Sequence, residues 1–276
     1  MDFADTVSSA ALWAILTEAA VTPKPGLVDR ANSGSHRDMD FFTLIDSATA
    51  LWPWFRGCCL AGLESESEPA ALFEALRPQG KIAETRMKKA SGGVNTHRGY
   101  IFSLGLLCAA CGRLYRSSDK PELTAVIEFV KAMTKNLMDD FSDSNRENSH
   151  GQAIYSQSRI QGIRGEAMRG FPSVTEQALP MLKRMLKKGH SLNDAGIAAL
   201  LKLMSISEDT NIIYRGGIEA LHAIQKELLA FFVAEPDMKA IREKAAAMDS
   251  EFIAKNLSPG GCADLLGVAL FLWRLF

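Results

Sequence analysis

Residues 5–25 read DTVSSAALWAILTEAAVTPKP, and this stretch predicts a helix that ends at its prolines. Asp5 can cap the helix at its start, and Trp13 and Leu16 then lie on one side of it. Pro23 ends it, because the residue before a proline is biased away from helical backbone angles. Along the rest of the chain Ala, Leu and Met are abundant and Val is sparse, a balance that favours helix over strand. We therefore predict an all-α protein.

The remaining sequence carries the same helical pattern, with capping residues and glycines between segments. Asp40 can cap a helix from Phe41 to about Leu60 that Pro53 should kink, and Ser173 with Glu176 fits a capping box. The other expected helices cover about 70–90, 98–116, 121–140, a segment ending at Gly189, Asn193–Ser205 with Asn193 as its cap, 215–232, 237–256 and 261–275. We expect a single multi-helix domain over residues 1–276, orthogonal or bundle-like, with no heptad seam for a coiled-coil dimer.

The composition is that of a globular protein without a strong electrostatic field of its own. Of 276 residues, 47% are hydrophobic and 23% are charged, and the formal net charge is -1. Such a chain has no global positive potential to hold nucleic acid, so an anion site must be a local cluster of cations. We therefore expect no nucleic-acid partner.

The cysteines and the apolar runs indicate the compartment. The five cysteines are an odd set, so a disulfide framework is not expected, and Cys108 and Cys111 lie in an apolar run that predicts core packing. No basic region precedes the N-terminal apolar stretch, and the run Leu265–Trp273 is too short to span a bilayer. We expect a cytoplasmic protein without membrane contact.

Four polar segments interrupt the apolar pattern in ways that packing does not require. The chemistry-bearing residues of the first segment, 22–40, are Lys24, Asp29, Arg30, His36 and Arg37. Prolines and glycines stiffen its path, and such a loop can aim cations at a polyphosphate while carboxylates hold a metal or a hydroxyl. Taken alone, the segment is more typical of a solvated loop between helices with balanced charge.

The second segment, Ser91–Gly99, precedes a predicted helix. Its two glycines allow close backbone approach, and N–H groups at a helix start bind phosphate. If Asn95 caps the helix, His97 and Arg98 lie in the first turn, where cations are disfavoured unless an anion binds. Glu84 on the preceding helix can face the same space. A glycine turn with an ordinary N-cap is an equally good interpretation.

The other two segments combine glycines with charged and amide side chains. Their key residues are Arg164 and Glu166 in residues 159–170, and Asp209, Asn211 and Arg215 in residues 208–217. The pattern Asp-x-Asn is common in metal and sugar-hydroxyl sites, but it is also a common turn at a helix end. Residues 258–264 form a related turn with an aspartate at a helix start. An irregular surface loop remains the alternative for residues 159–170, and an ordinary turn for residues 208–217.

Common nucleotide and metal signatures do not occur in the sequence. There is no G-x-x-x-x-G-K-[ST], so the chain is not a P-loop ATPase, and no strand-linked G-x-G-x-x-G that would indicate a dinucleotide fold. Neither H-E-x-x-H nor an adjacent His-Asp pair is present, which disfavours a helical metallohydrolase. We expect the isolated His150, His190 and His222 to be structural or exposed.

Five blocks of the sequence carry a further signal when they are taken together. They read PKPGLVDRANSGSHRDMD, GVNTHRGYIFSLGLLCAA, RGEAMRGFP, DTNIIYRGG and NLSPGGCADLL, and they run from residue 23 to residue 266. In this order they resemble the signature blocks of the triphosphoribosyl-dephospho-coenzyme A synthases, an all-helical family. That family makes the precursor of the prosthetic group on the acyl carrier subunit of citrate lyase, and a close relative serves malonate decarboxylase. The first block is more similar to the citrate lyase branch.

The resemblance implies a reaction between two nucleotides. The 2′-hydroxyl of 3′-dephospho-CoA attacks the anomeric carbon of the ribose of ATP, adenine leaves, and the triphosphate stays on the ribose. The family's product is α-linked whereas ATP is β-linked, which implies a single inverting displacement with an oxocarbenium-like transition state. A carboxylate must accept the hydroxyl proton, and the triphosphate needs Mg²⁺ and several cations.

The resemblance and this chemistry together imply roles for the polar residues. The residues expected to bind substrate are Lys24, Arg30, His36, Arg37, Asn95, His97, Arg98, Arg164, Asn211 and Arg215. The base is expected among Asp29, Glu84, Glu166 and Asp209, and the Mg²⁺ ligands are expected to include Asp209 and Glu166. The product would pass to a transferase of the holo-acyl-carrier-protein synthase type. Two alternatives remain: the same reaction serving malonate decarboxylase, and a non-catalytic helical nucleotide-binding protein.

Overall fold

The computed structural model describes residues 2–116, 118, 120–138 and 160–276. No strand occurs in these ranges, so the all-α prediction is confirmed. The helices are α1 (Phe3–Ala20), α2 (Phe41–Thr49), α3 (Trp52–Glu64), α4 (Pro69–Ala90), α5 (Arg98–Tyr115), α6 (Leu123–Thr134), α7 (Gly162–Met168), α8 (Leu179–Lys187), α9 (Leu192–Met204), α10 (Thr210–Val233), α11 (Met238–Ala254) and α12 (Gly260–Leu275). A π-helical segment, Ser173–Ala178, leads into α8. The end of the helix expected at 121–140, Arg159 and His150 lie outside the described residues.

Two helices are capped by residues other than those predicted. The Asp2 carboxylate accepts a hydrogen bond from the backbone N–H of Asp5 at 2.6 Å, so α1 begins earlier and Asp5 lies in its first turn. Ser191 caps α9, and Asn193 instead exchanges two hydrogen bonds with the backbone of Thr22, at 2.8 and 2.9 Å. In both regions neighbouring Ser, Asp or Asn residues compete for one cap position, and the local sequence does not choose between them.

Two further boundaries differ because of proline and serine chemistry. The helix expected to kink at Pro53 is two helices, and Pro53 lies in the first turn of α3, where its missing N–H is not needed. The prediction of a capping box at Ser173 is wrong, because the N–H and the hydroxyl of Ser173 both donate to the Glu166 carboxylate. Helix α8 ends close to the predicted position, and Gly189 follows it with a φ of 83°.

Helix α5 lies at the centre of the core and is buried along most of its length. Helix α3 packs closely against it at Gly62 and Gly112, where an added Cβ would collide with a backbone carbonyl of the other helix. Cys108 and Cys111 are fully buried, so the prediction of core packing is confirmed for this pair. No helix among the described residues is both long and apolar enough to cross a membrane.

The loop from residue 22 to residue 40 is attached to helix α11 rather than solvated on its own. Asp249 accepts hydrogen bonds from the Gly26 N–H and from the Asn32 carboxamide, both at 2.9 Å. The Ser35 hydroxyl donates to the Leu257 carbonyl at 2.6 Å. These contacts fix the path of the loop and, with it, the side chains that the loop presents.

Replacing Asp249 with alanine should therefore destabilise the loop and the whole fold. The Gly26 N–H loses its buried acceptor, and a lost hydrogen bond of this type costs about 1–3 kcal/mol. We expect a fall of about 2 kcal/mol in the free energy of unfolding, measured by urea denaturation. Glu243→Ala, which removes an exposed carboxylate from the same helix, is the control and should cost less than about 0.5 kcal/mol. Equal losses in the two variants would contradict this account of the loop.

Candidate active site

The polar segments line two adjoining cavities. The larger opens between the 22–40 loop and the starts of helices α5, α10 and α12, and the smaller between α7 and the starts of α10 and α12. The larger has a cavity volume of about 150 Å³. Its polar lining includes Glu18, Lys24, His36, Asn95, His97, Arg98 and Arg215. The polar lining of the smaller includes Glu166, Arg169, Glu208 and Asp209. Asn211 and Asp264 line both, so the structure brings together residues from all four polar segments.

Lys24 places an ammonium group in the wall of the larger cavity. Its Nζ donates to a Glu18 carboxylate oxygen at 2.5 Å, and the Lys24 side chain is only 1% exposed. An ammonium has three protons to donate, and Glu18 is its one acceptor in the described part of the chain. The remaining protons are available to an anionic ligand in the cavity.

Two arginines and a histidine complete the polar part of this wall. Arg215 donates to the carbonyl of Ser35 at 3.2 Å and to the side-chain oxygen of Asn256 at 3.0 Å, and Arg98 lies 3.4 Å from a Glu84 oxygen. Burial, and next the charge of Arg215, lowers the pKa of His36. His36 is therefore neutral near pH 7. The cationic side chains in the described lining of the larger cavity are Lys24, Arg98 and Arg215.

His97 does not supply the positive charge that the sequence predicts for it. The imidazole is buried, and its Nε2–H donates to the Leu44 carbonyl at 3.0 Å. Burial lowers the pKa of His97 to about 4, so the ring is neutral near pH 7. It lines the cavity as a neutral group that ties the start of α5 to α2.

Two helix starts contribute backbone N–H groups to the larger cavity. Arg98, Gly99 and Tyr100 line it at the start of α5, and Gly260 lines it at the start of α12. Neither helix has a side-chain cap, since the cap positions are taken by His97 and Pro259. The N–H groups of a first turn have no acceptor within the helix, and the helix dipole makes this end positive. An anion in the cavity gains from both.

Asp209 joins the starts of helices α10 and α12. One of its oxygens accepts from the N–H groups of Asn211 and Ile212 at 2.8 and 3.1 Å, and the other accepts from the Cys262 N–H at 2.8 Å. Burial raises the pKa of Asp209 despite these hydrogen bonds. The carboxylate is thus largely engaged in holding the two helix starts together.

Glu166 lies on α7 at the wall of the smaller cavity. Its two oxygens accept from the hydroxyl and the N–H of Ser173, at 2.7 and 3.2 Å, and Arg169 is 3.8 Å away. Burial raises the pKa of Glu166, and Glu208 adds to the shift. The sequence marked Glu166 as a candidate because it lies between glycines and arginines. The structure shows that this segment forms a short helix rather than an irregular loop.

Asp264 lies where the two cavities meet. No hydrogen bond or ion pair to its carboxylate occurs within the described ranges, and Gly99 lies so close that an added Cβ would collide with it. Burial raises the pKa of Asp264 well above its ordinary value, and the neighbouring charges of Glu18 and Asp209 raise it further. An unpaired acid in such surroundings is a candidate for the chemistry of the site.

Replacing Asp264 with asparagine should stabilise the protein at pH 8. A carboxyl whose pKa is raised by folding favours the folded state below its ordinary value of 3.8, and this contribution is lost as the pH rises through the folded pKa. The variant should therefore melt at a higher temperature than the wild type at pH 8, and the difference should shrink towards pH 4. Asp46→Asn, at an exposed site on α2, is the control, and its melting temperature relative to the wild type should not change in this way between pH 4 and pH 8. A less stable Asp264→Asn variant at pH 8 would contradict the burial cost.

Five of the predicted site residues do not line either cavity: Asp29, Arg30, Arg37, Glu84 and Arg164. The Asp29 carboxylate accepts from three backbone N–H groups of its own loop, at 2.7, 3.0 and 3.1 Å, which favours a loop-organising role over catalysis. Arg30 contacts Thr22 and Asn193 at 3.3 Å. Glu84 is paired with Lys88 and Arg98 behind the cavity wall. The charge pattern predicted a polar cluster, but it could not separate residues that shape the loop from those that face the cavity.

The lining residues that were missed as candidates include Glu18, Tyr100 and Asp264. Glu18 is an acid inside an apolar helical run, and only its pairing with Lys24 explains its burial. The Tyr100 hydroxyl donates to the Ala263 carbonyl at 2.7 Å and ties α5 to α12. Asp264 carried a visible signal, as an acid just after the glycine pair at a helix start.

The family resemblance is supported by comparison with known proteins. The sequence profile described as "CitG: ATP:dephospho-CoA triphosphoribosyl transferase" matches residues 4–276. A protein of Klebsiella pneumoniae named 2-(5''-triphosphoribosyl)-3'-dephosphocoenzyme-A synthase is 39% identical over 98% of this chain and 90% of its own length. Proteins named as probable enzymes of this kind are 40% identical in Vibrio cholerae, over 98% of this chain and 88% of theirs, and 38% identical in Streptococcus equi subsp. equi, over 97% and 95%.

No solved structure matches the chain. The profile covers every polar segment that contributes to the two cavities, and the relatives align over almost the whole chain. The alternative of a non-catalytic nucleotide-binding protein is thereby set aside. The chain belongs to the family of ATP:dephospho-CoA triphosphoribosyl transferases and is an enzyme of that activity.

Proposed function

We propose that the larger cavity holds the triphosphate of ATP and that Asn211 directs the ribose towards the smaller cavity. The observation that carries this is the meeting of Lys24, Arg98 and Arg215 with the starts of α5 and α12, whose cap residues His97 and Pro259 accept no first-turn N–H through a side chain. A triphosphate bears several negative charges, and cationic side chains and helix N-termini are the groups that bind them. The carboxamide of Asn211 lies at the passage between the cavities, where it can bond a ribose hydroxyl.

We place Mg²⁺ in the smaller cavity, with Asp209 and Glu166 as its protein contacts and with the triphosphate reaching it from the adjoining larger cavity. The carboxylates of Glu166, Glu208 and Asp209 give this cavity the oxygen donors that Mg²⁺ prefers. No three acid, histidine or cysteine side chains of the described chain come close enough to enclose an ion. The residues fit an ion shared with substrate, because Mg²⁺ commonly takes one or two carboxylates and completes its shell with phosphate oxygens and water. When bound, it would neutralise charge on the triphosphate.

The placement of the triphosphate is tested by replacing the arginines. Arg98→Met and Arg215→Met should each raise the KM for ATP by roughly 10- to 100-fold, as expected for the loss of a hydrogen bond to a charged group. Adenine released from ATP, Mg²⁺ and 3′-dephospho-CoA is the measurement. Arg116→Met, at an exposed residue past the far end of α5, is the control. If Arg37→Met raised the KM and the two lining arginines did not, the triphosphate would lie at the outer loop instead.

We further propose that the product serves citrate lyase. The support is the first sequence block, residues 23–40, which is more similar to the citrate lyase branch of the family than to the malonate decarboxylase branch. In this proposal a transferase of the holo-acyl-carrier-protein synthase type then attaches the product to the acyl carrier subunit, and both steps take place in the cytoplasm.

Deleting the gene tests the pathway. The masses of the acyl carrier subunits of citrate lyase and malonate decarboxylase are then compared with those of the parent strain. We expect the citrate lyase subunit to lose the mass of its prosthetic group. Loss confined to the malonate decarboxylase subunit would contradict the proposal.

A further inference from the structure

We infer that Asp264 is the catalytic base, which takes the proton from the 2′-hydroxyl of 3′-dephospho-CoA as that oxygen bonds to the ribose of ATP. The inference rests on the triphosphate position proposed above. It assigns to one named carboxylate a role that the sequence distributed among Asp29, Glu84, Glu166 and Asp209. Four observations support it: the Asp264 carboxylate has no partner among the described residues, it lies where the two cavities meet, the other acids of the lining are engaged or exposed, and its surroundings favour proton acceptance.

The Asp264 carboxylate is available to a ligand. A carboxylate has about four acceptor positions, and none of those on Asp264 is taken by a hydrogen bond or an ion pair in the described part of the chain. Asp264 is only partly buried, so these unpaired acceptor positions are open to a ligand in the cavities.

The position of Asp264 is the one that the reaction requires. The reaction brings a hydroxyl of one nucleotide to the anomeric carbon of another, so the base must lie where the two substrates meet. Asp264 is one of two residues in the described chain that line both cavities, and the other, Asn211, carries an amide that cannot accept a proton at neutral pH. Gly99 has no side chain to separate the carboxylate from the larger cavity.

The other acids of the lining are engaged or exposed. Glu18 is bonded to Lys24, Asp209 accepts from three backbone N–H groups, and the two oxygens of Glu166 accept from one serine. Glu208 is exposed to solvent. A base must present an unshared lone pair to the hydroxyl, and hydrogen bonds of this kind reduce the basicity of a carboxylate.

The surroundings suit proton acceptance. Burial and two neighbouring carboxylates make the ionised form of Asp264 less stable, which brings its basicity closer to neutral pH. This effect grows when substrate closes the cavity and excludes water.

The proton-transfer step balances without any further reactant. The O–H bond of the acceptor breaks and its proton goes to an oxygen of Asp264, while the hydroxyl oxygen bonds to the anomeric carbon. The bond from that carbon to N9 of adenine breaks, and its electron pair leaves with the base. Adenine takes up one proton from solvent, and Asp264 returns its proton to solvent before the next turnover.

The first test is the Asp264→Asn variant, which keeps the shape of the side chain. We expect kcat for adenine release to fall by about 10²- to 10⁴-fold, with the KM for ATP changed by less than about threefold. Glu243→Gln, which removes an exposed acid on α11, should behave as the wild type. An Asp264→Asn variant that keeps more than a third of wild-type turnover would overturn the inference.

The second test separates a base from other roles by supplying azide in place of 3′-dephospho-CoA. Azide attacks carbon without losing a proton, so it needs no base. We expect azide-dependent adenine release by Asp264→Asn at the wild-type rate, although transfer to 3′-dephospho-CoA is lost. The inference would be contradicted if Asp264→Asn lost transfer to 3′-dephospho-CoA and also failed to release adenine in the presence of azide. That result would indicate that Asp264 is a nucleophile, a proton donor to adenine or a metal contact.

A third measurement needs no variant and holds even if Asp264→Asn folds poorly. In the wild type, kcat/KM for 3′-dephospho-CoA should fall on the acid side as the base becomes protonated, and the azide reaction should lack that limb. The same acid limb for both acceptors would contradict a base. The arginine variants above test the triphosphate position separately: unchanged KM values there would refute that placement while leaving the result for Asp264 readable.

Discussion

Replacing Lys24 with methionine should lower kcat/KM for ATP by roughly 10- to 100-fold, and it should also destabilise the fold. A hydrogen bond to a charged group is worth about 1.5–3 kcal/mol, and the larger cavity loses its most buried cation. The Glu18 carboxylate, 4% exposed, is then left without its partner, which typically costs about 3–5 kcal/mol. Steady-state kinetics and urea denaturation measure the two effects.

A double variant separates the two consequences of losing Lys24. Glu18→Gln combined with Lys24→Met removes both charges, so the uncompensated buried carboxylate disappears and most of the lost stability should return. The activity should not return, because the ammonium that faces the triphosphate is still missing. Recovery of activity together with stability would show that Lys24 serves only the packing of the site.

Replacing Asp209 with alanine should lower the free energy of unfolding by about 3 kcal/mol. Three backbone N–H groups lose their acceptor at once, and each buried loss of this type costs about 1–3 kcal/mol, partly offset because the carboxylate itself is costly to bury. Helices α10 and α12 are then no longer joined at their starts, so turnover should fall as well. Urea denaturation and adenine release are the measurements.

Asp237 provides a matched control for Asp209. It caps α11 from an exposed position through one hydrogen bond to the Ala240 N–H at 2.8 Å. Asp237→Ala should cost about 1 kcal/mol and leave the kinetics unchanged. Asp209→Asn keeps one acceptor oxygen, but its NH₂ group replaces the oxygen that accepts from the Cys262 N–H. Its loss in free energy of unfolding should therefore lie between those of Asp237→Ala and Asp209→Ala. If Asp209→Ala were no more damaging than Asp237→Ala, the joining role of Asp209 would be wrong.

The helical architecture was predictable because each helix carries its own signals. Asp40 caps α2 through a capping box, and the glycine pair after Pro259 begins α12 near the expected position. Asp209 instead begins α10 five residues before the expected start at 215, and non-helical backbone at Gly217 kinks this helix. Which of several polar residues takes a cap position depends on tertiary partners, as with Asn193, which Thr22 holds. The local sequence predicts the helix, and distant contacts decide where it begins.

The candidate site was predictable as a set of segments but not as a set of roles. Glycines and cations mark the loops that line the cavities, and those loops do converge. Asp29 and Asp264 are both acids beside glycine-containing turns, yet one is used by its own backbone and the other is unpaired. That difference depends on which backbone groups surround each carboxylate in three dimensions. A pattern of residue types does not contain this information.

A crystal structure of the Asp264→Asn variant with ATP, Mg²⁺ and 3′-dephospho-CoA tests the central claim most directly. We predict that the triphosphate contacts Lys24, Arg98 and Arg215, and that the anomeric carbon and the acceptor 2′-hydroxyl face residue 264 at the junction of the two cavities. A triphosphate bound at the outer loop near Arg30 and Arg37, with the ribose away from that junction, would contradict it.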